Sequence, residues 1–245
     1  MHQITLLQYP AGKATEAYTI PSTVEKIEIG AFSGSKINGI TFSSALKTID
    51  IRAFYGCNEL TTVTIPTTVT KVGESAFGAC TKLTEIKVAD GHAQYESIDG
   101  ILFNKESEKA LIQYPAGKTT TEYTVPEGII RIGISAFEGT TKLTKITIPS
   151  SVTEVAFRAF YGCSSLNEVY YKGETEPVTC RGSAFDNTPI KSIKVVVNYK
   201  ENSFCDLDVV GNEPADKAPE EKPATPNKSS SILLTLFTVL IIFLI

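Results

Sequence analysis

The sequence predicts a β-rich repeat solenoid, a right-handed stack of about seven units of 22–23 residues, interrupted once by a β-hairpin. Three observations predict it. The dipeptide Ala-Phe recurs with its Phe at 32, 54, 77, 137, 160 and 185, spaced 22, 23, 60, 23 and 25 apart. An Ile/Val-Pro marker or a degenerate copy of it begins at Ile20, Phe42, Ile65, Val88, Val125, Ile148 and Tyr171, spaced 22, 23, 23, 37, 23 and 23. A Gly/Ala-Cys step places Cys57, Cys80 and Cys163 each three residues after the Phe. Fixed offsets of this kind mark one supersecondary unit that cannot bury its apolar side alone and must stack on its neighbours.

The unit divides into strand and turn. In Thr62-Val63-Thr64-Ile65 the apolar residues alternate with threonine, the pattern of a half-buried strand. Stacked units pair these strands into a parallel sheet. One outward column then runs Thr19, Thr41, Thr64, Lys87, Thr124, Thr147, Tyr170, and the next Ala17, Gly39, Thr62, Glu85, Glu122, Lys145, Glu168. This open face is the expected protein-binding surface, with Thr62, Thr64, Glu85, Lys87, Lys145, Thr147, Glu168 and Tyr170 as its expected contact residues. Threonine is also simply a good strand residue, so the face is a stronger expectation than any one of them. The Phe slot should form a buried spine, ring against ring. Tyr55 and Tyr161 follow two of these rings and should lie at the edge.

The long 60- and 37-residue spacings have one cause. Leu6-Leu7-Gln8-Tyr9-Pro10-Ala11-Gly12-Lys13 recurs as Leu111-Ile112-Gln113-Tyr114-Pro115-Ala116-Gly117-Lys118, an offset of 105. The second copy follows Tyr95-Glu96-Ser97-Ile98-Asp99-Gly100-Ile101-Leu102-Phe103-Asn104. Asp-Gly between apolar runs is a hairpin turn signal. Residues 91–118 therefore read as a β-hairpin insertion, and the first copy lacks its leading strand.

The pattern Gly-Cys-x-x-Leu-x-x-Val-x-Ile-Pro-x-x-Val-x-x-Ile-x-x-x-Ala-Phe resembles the BspA-like leucine-rich repeats. The Asp-Gly-Ile-Leu-Phe-Asn … Leu-Ile-Gln-Tyr-Pro-Ala-Gly-Lys segment is similar to the hairpin interleaved with them. The period lies in the leucine-rich-repeat range, without the Asn of the common consensus. The resemblance covers roughly residues 1–198. It implies a leucine-rich-repeat-type solenoid and a surface antigen that binds host or matrix proteins in adhesion. It implies no enzyme activity.

The residue inventory points the same way. The net charge is −4, from 23 basic and 27 acidic residues, so no basic excess exists for a nucleic-acid backbone. With only His2 and His92, His-centred catalysis has little to work with. No nucleophile elbow, phosphate loop, zinc-protease motif or calcium loop occurs. No catalytic residue, cofactor site or metal site is therefore expected. Cys57, Cys80 and Cys163 share one slot, which Ser35, Thr140 and Thr188 fill in other copies. A slot that takes small side chains reads as buried free thiols, although neighbouring rungs are within disulfide reach. Cys180 and Cys205 lie outside the ladder.

The chain divides into a solenoid over 1–200, its C-terminal end over 201–210, a Pro-rich polar stalk over 211–231, and an apolar tail over 232–245. As a helix these 14 residues, uncharged and polar only at Thr235 and Thr238, span about 21 Å, short of the ~30 Å hydrocarbon core. The tail reads either as a GPI-attachment signal or as a short membrane anchor. For the first reading, Asp216, Ala218, Ala224 and Asn227 are candidate attachment residues. The N-terminus carries no signal-peptide pattern. Two functional expectations follow: a non-enzymatic adhesion module on the cell surface or, alternatively, a tail-anchored, cytosol-facing interaction scaffold.

Overall fold

The computed structural model describes residues 4–10, 17–180 and 182–213, and Met1–Glu213 is one compact unit. The expected stalk and tail fall outside the described residues, apart from residues 211–213, which complete a strand. Every described regular element is a strand.

Turns of the chain contribute one strand to a front ladder and a short strand to a back ladder. In the first half, the back ladder is β1 (Thr5–Leu6), β3 (Lys26–Ile27), β5 (Thr48–Ile49) and β7 (Lys71–Val72), paired in parallel. The front strands are β2 (Ala17–Thr19), β4 (Gly39–Thr41), β6 (Thr62–Ile65) and β8 (Glu85–Val88), paired as β2–β4 and β6–β8. The alternation read in Thr62–Ile65 is the burial observed: Thr62 and Thr64 exposed, Val63 and Ile65 buried. After the turn, Leu60, Leu83, Leu143 and Leu166 lie fully buried between the ladders.

The Phe slot is a spine of stacked rings, but in two stacks of four. Tyr9, Phe32, Phe54 and Phe77 stack at centroid distances of 5.0, 4.8 and 5.3 Å. Tyr114, Phe137, Phe160 and Phe185 stack at 4.9, 4.8 and 4.8 Å. Each stack is opened by the tyrosine of the duplicated Gln-Tyr-Pro motif, which makes eight turns where about seven were expected. The backbone holds the rings in register: Phe32, Phe54, Phe137 and Phe160 each donate their N–H to the alanine carbonyl of the following turn, at 2.7–2.8 Å. The spacing is that of parallel strands, about 4.8 Å, so parallel rings meet at offset-stacking distance without adjustment.

The break between the stacks is the insertion. β9 (Tyr95–Ile98) and β10 (Ile101–Asn104) form an antiparallel hairpin whose turn, Asp99 and Gly100, has φ of 51° and 76°. Two successive positive φ values are the type I′ geometry for which Asp-Gly is selected. β11 (Ala110–Gln113), expected inside the insertion, pairs antiparallel with β10 but parallel with β13 (Arg131–Ile132) and so opens the next turn. All four β10 residues are buried: Leu102 joins the N-terminal core, while Ile101 and Phe103 join the C-terminal core. Beyond it the back ladder continues through β15 (Glu154–Val155) to β17 (Thr179–Cys180). The front ladder runs β12 (Glu122–Thr124), β14 (Lys145–Ile148), β16 (Glu168–Tyr171) and β18 (Ser192–Val196). β19 (Ser203–Phe204) and β20 (Leu207–Glu213) close it, β20 pairing parallel to β18 and antiparallel to β19.

The corner after each ring needs a left-handed residue. Gly34, Gly56, Gly139 and Gly162 supply it at φ of 67–76°, whereas Ala79 adopts φ 54° in the same slot. An L-residue there is strained by its Cβ. Ala79→Gly should therefore raise stability by up to about 1 kcal/mol. Phe54→Ala, which removes a fully buried ring stacked on both sides, should lower it by about 3–5 kcal/mol. Chemical denaturation of the two variants against the parent checks both signs.

Candidate protein-binding face

The front ladder presents the outward columns in register. Thr62 lies opposite Glu85 and Thr64 opposite Lys87; Lys145 lies opposite Glu168 and Thr147 opposite Tyr170. The eight expected residues thus form two patches rather than one face. The hairpin separates them: the Gly100 carbonyl accepts the Ile86 N–H at 2.8 Å, and the Ser97 hydroxyl donates to the Ile86 carbonyl at 2.6 Å. These bonds take up the edge of β8 that β12 would otherwise occupy.

In the first patch Thr62, Thr64 and Lys87 are exposed and Glu85 is half-buried. In the second, Lys145 and Glu168 are half-buried, but Thr147 is 2% exposed and Tyr170 8% exposed. The expectation that both lie open is corrected. Period-2 alternation sets which side of the sheet a residue points to, not how far its neighbours shade it. Thr147 is a short side chain beside the much larger Tyr170, one strand spacing away. Tyr170 in turn sits beside Lys194, whose long stem can lie along its ring.

The charges on this face are matched internally. Lys87 pairs with Glu85 at 3.3 Å, Lys145 with Glu168 at 3.4 Å and Glu122 at 3.9 Å, and Lys194 with Glu168 at 3.6 Å. Exposed pairs of this kind add little stability, but they leave the face without a single-sign field.

The two edge tyrosines are half-buried and engaged. Tyr55 donates to Glu138 Oε1 at 2.7 Å, and the Ser75 hydroxyl donates to Glu138 Oε2 at 3.2 Å. Glu138, 2% exposed, thereby joins the two halves across the break between the ring stacks. Burial, with the carboxylate beside it, pushes the Tyr55 phenol up to about 12. Arg158 lies over the Tyr161 ring at 4.5 Å. His92 is also structural: buried, its Nδ1 accepts the backbone N–H groups of Gln94 and Tyr95, both at 3.2 Å.

The cysteines separate into two chemistries. Cys57, Cys80 and Cys163 are free and buried. Each thiol donates to the carbonyl of the ring residue one turn back, Phe32, Phe54 and Phe137, at 3.1, 3.0 and 3.1 Å. That is why the slot also accepts Ser35, 3.3 Å from the Cys57 sulfur. The Cys57 sulfur beside it, together with burial, pushes the Cys80 thiol well above its ordinary value. Burial pushes Cys163 up to about 12. Cys180 and Cys205, for which the repeat register offers no pairing signal, form a disulfide that ties β17 to the closing hairpin. Glu176 joins them in the one trio of metal-ligand residues found close together among the described residues, but there the two sulfurs are bonded to each other.

The profile of the BspA type leucine rich repeat region matches this sequence in six copies, over residues 11–120 and 116–208. The chain belongs to the BspA-type leucine-rich-repeat family. The fold of this BspA-type chain is shared with the pneumococcal vaccine antigen PcpA, at a TM-score of 0.62 and 24% identity over 80% of this chain and 54% of that one. It is also similar to a leucine-rich cell surface protein of Faecalibacterium prausnitzii and a leucine-rich-repeat protein of Eubacterium ventriosum. Each gives a TM-score of 0.55 and 25% identity over 74% of this chain and 59% of that one. This chain thus spans little more than half of each of those chains. A comparison with curated proteins finds no match.

Two outcomes follow from the cysteines. Iodoacetamide at pH 8.5 should label none of the three ladder thiols in the folded protein and all three after unfolding, with two more only after reduction; mass spectrometry counts them. Cys163 should also make the fold alkali-sensitive. In the unfolded chain its thiol ionises near the ordinary value of 9.0, whereas in the folded chain it stays protonated to about 12. The unfolded state then binds fewer protons, so stability falls as pH rises from 9.0 towards 12. Cys163→Ala should show a shallower fall in denaturant midpoint over that window.

Proposed function

We propose that this chain is a non-enzymatic, surface-displayed protein-binding module that uses its front ladder in adhesion to host or matrix proteins. The observation that carries the reading is the first patch. Thr62, Thr64, Glu85 and Lys87 stand in register on paired strands, with Thr62, Thr64 and Lys87 exposed. A flat repeat surface of this kind offers broad contact shared over several turns. The second patch contributes Lys145 and Glu168, with Thr147 and Tyr170 as its recessed floor. The family and the cell-surface description of a structural neighbour support display at the surface.

The Cys180–Cys205 disulfide favours this reading over the cytosol-facing scaffold, because disulfides persist in oxidising compartments and are rare in the cytosol. Membrane attachment through residues 232–245 remains part of the proposal.

A tag inserted after Glu213, where the compact unit ends, should be labelled on intact cells; labelling only after permeabilisation would contradict surface display. Against immobilised matrix proteins, joint replacement of Thr62, Thr64, Glu85 and Lys87 by alanine should weaken binding at least ~10-fold, about 1.4 kcal/mol. Raising salt from ~50 to ~300 mM should weaken it less than ~3-fold, since the face carries no net field. Undiminished binding by a folded quadruple variant would remove the front ladder from the account.

A further inference from the structure

His92 is the one histidine among the described residues, and it sits where the hairpin joins the N-terminal half. It is 2% exposed. Its Nδ1 accepts two backbone N–H groups, from Gln94 and Tyr95, both at 3.2 Å. An accepting Nδ1 leaves the ring proton on Nε2, so the imidazole is neutral. The His92 carbonyl accepts Lys105 Nζ at 2.8 Å, and the His92 N–H donates to the Ala89 carbonyl at 3.2 Å. One residue thus ties the start of β9 to the residues that follow β10 and β8.

Tyr95 carries that anchorage to the back ladder. Its ring lies edge-on to the His92 ring at 5.2 Å and belongs to the N-terminal core. Its hydroxyl accepts the Val72 N–H at 2.9 Å and so covers β7, the last strand of the first back ladder. The acceptor at the root of these contacts is one that a proton can remove. An asparagine side chain accepts a backbone N–H two positions on in the same way. Its oxygen does not titrate near neutral pH, whereas an imidazole does.

We propose that His92 is a proton-operated latch: uptake of a solvent proton at Nδ1 in mildly acidic surroundings turns the acceptor into a donor and releases Tyr95 from the edge of β7. The imidazolium then points an N–H at two backbone N–H groups, and buried donors left without acceptors destabilise the closed base. Burial and the Lys105 ammonium hold the imidazole below its ordinary 6.5, against the Val69 and Pro66 carbonyls, which raise it. Thr67 and Thr68, between those carbonyls, bring no charge, and Asp90 is exposed. Glu96 on β9 pairs with Lys109, Lys71 on β7 with Asp50, and Glu106 acts on the Tyr95 phenol. The open chain takes up the proton near 6.5 and the latched chain only lower, so the open state binds more protons and the latch weakens as pH falls below 6.5. In acid the chain shows an aromatic ring and a strand edge that it hides at neutral pH, the kind of edge that pairs with other strands. The latch is independent of the front-ladder reading.

Amide exchange on the full chain, corrected for the intrinsic pH dependence of exchange, is the test. From about pH 7.5 to about pH 5, protection at Gln94, Tyr95 and Val72 should fall together by at least ~3-fold. At the lower pH all three should be at least ~10-fold less protected than Val63, whose protection reports opening of the whole unit. His92→Asn keeps an acceptor without the titration, and should hold the three amides equally protected at both pH values. In the unaltered chain the His92 imidazole, followed by NMR, should titrate below 6.5 and over the same window as the loss. Unchanged protection in the unaltered chain, the same loss in His92→Asn, or three amides that open only with Val63 would overturn the latch. So would an imidazole that titrates at or above 6.5.

Discussion

A turn of 22–23 residues cannot bury its own apolar side, so each turn in this protein is folded by the next one. The stacked rings are where that dependence is strongest. An aromatic side chain repeated at the strand spacing meets its copy face to face at 4.8–5.3 Å, and the alanine carbonyl beside it takes up the ring residue's N–H. The thiols, the leucines and the left-handed corners are adjustments to that register. The Cys slot is one residue type that both fills a small space and donates to the carbonyl one turn back. Asymmetry follows as well: any interruption must present apolar side chains to both of the turns it separates.

The hairpin meets that requirement with one strand. β10 points Leu102 into one core and Ile101 and Phe103 into the other, so it acts as a partition shared by two short solenoids. Polar bonds reinforce the seam: Glu138 receives Tyr55 and Ser75 from the other side, and the Gly117 N–H reaches the Leu83 carbonyl at 2.8 Å. A Cβ on Gly117 would meet the Lys82 and Leu83 backbone within 2.7 Å, which explains the glycine in Tyr-Pro-Ala-Gly-Lys. The functional consequence is a front ladder in two parts, with the more exposed side chains on the first.

Most of the architecture was legible because period and alternation are direct signatures of stacking and of half-burial. Three features were not. Tyr9 and Tyr114 belong to the ring column, but a tyrosine followed by proline does not match Ala-Phe, and only the shared offset of 105 could have exposed the equivalence. The Cys180–Cys205 bond lies where the repeat ends and an antiparallel closing hairpin begins, so no register pointed to it. Thr147 and Tyr170 were read as open from their strand parity. The bulky residue at an outward position was the available sign that the surface closes over there.

The shared partition is the claim on which the two-part architecture rests, and hydrogen exchange across the intact chain tests it most directly. If β10 belongs equally to both cores, peptides covering Ile101–Asn104 should exchange as slowly as those covering Thr62–Ile65 and Lys145–Ile148. Early exchange of Ile101–Asn104, with the strands on either side still protected, would show the hairpin to be an appended loop and contradict the account.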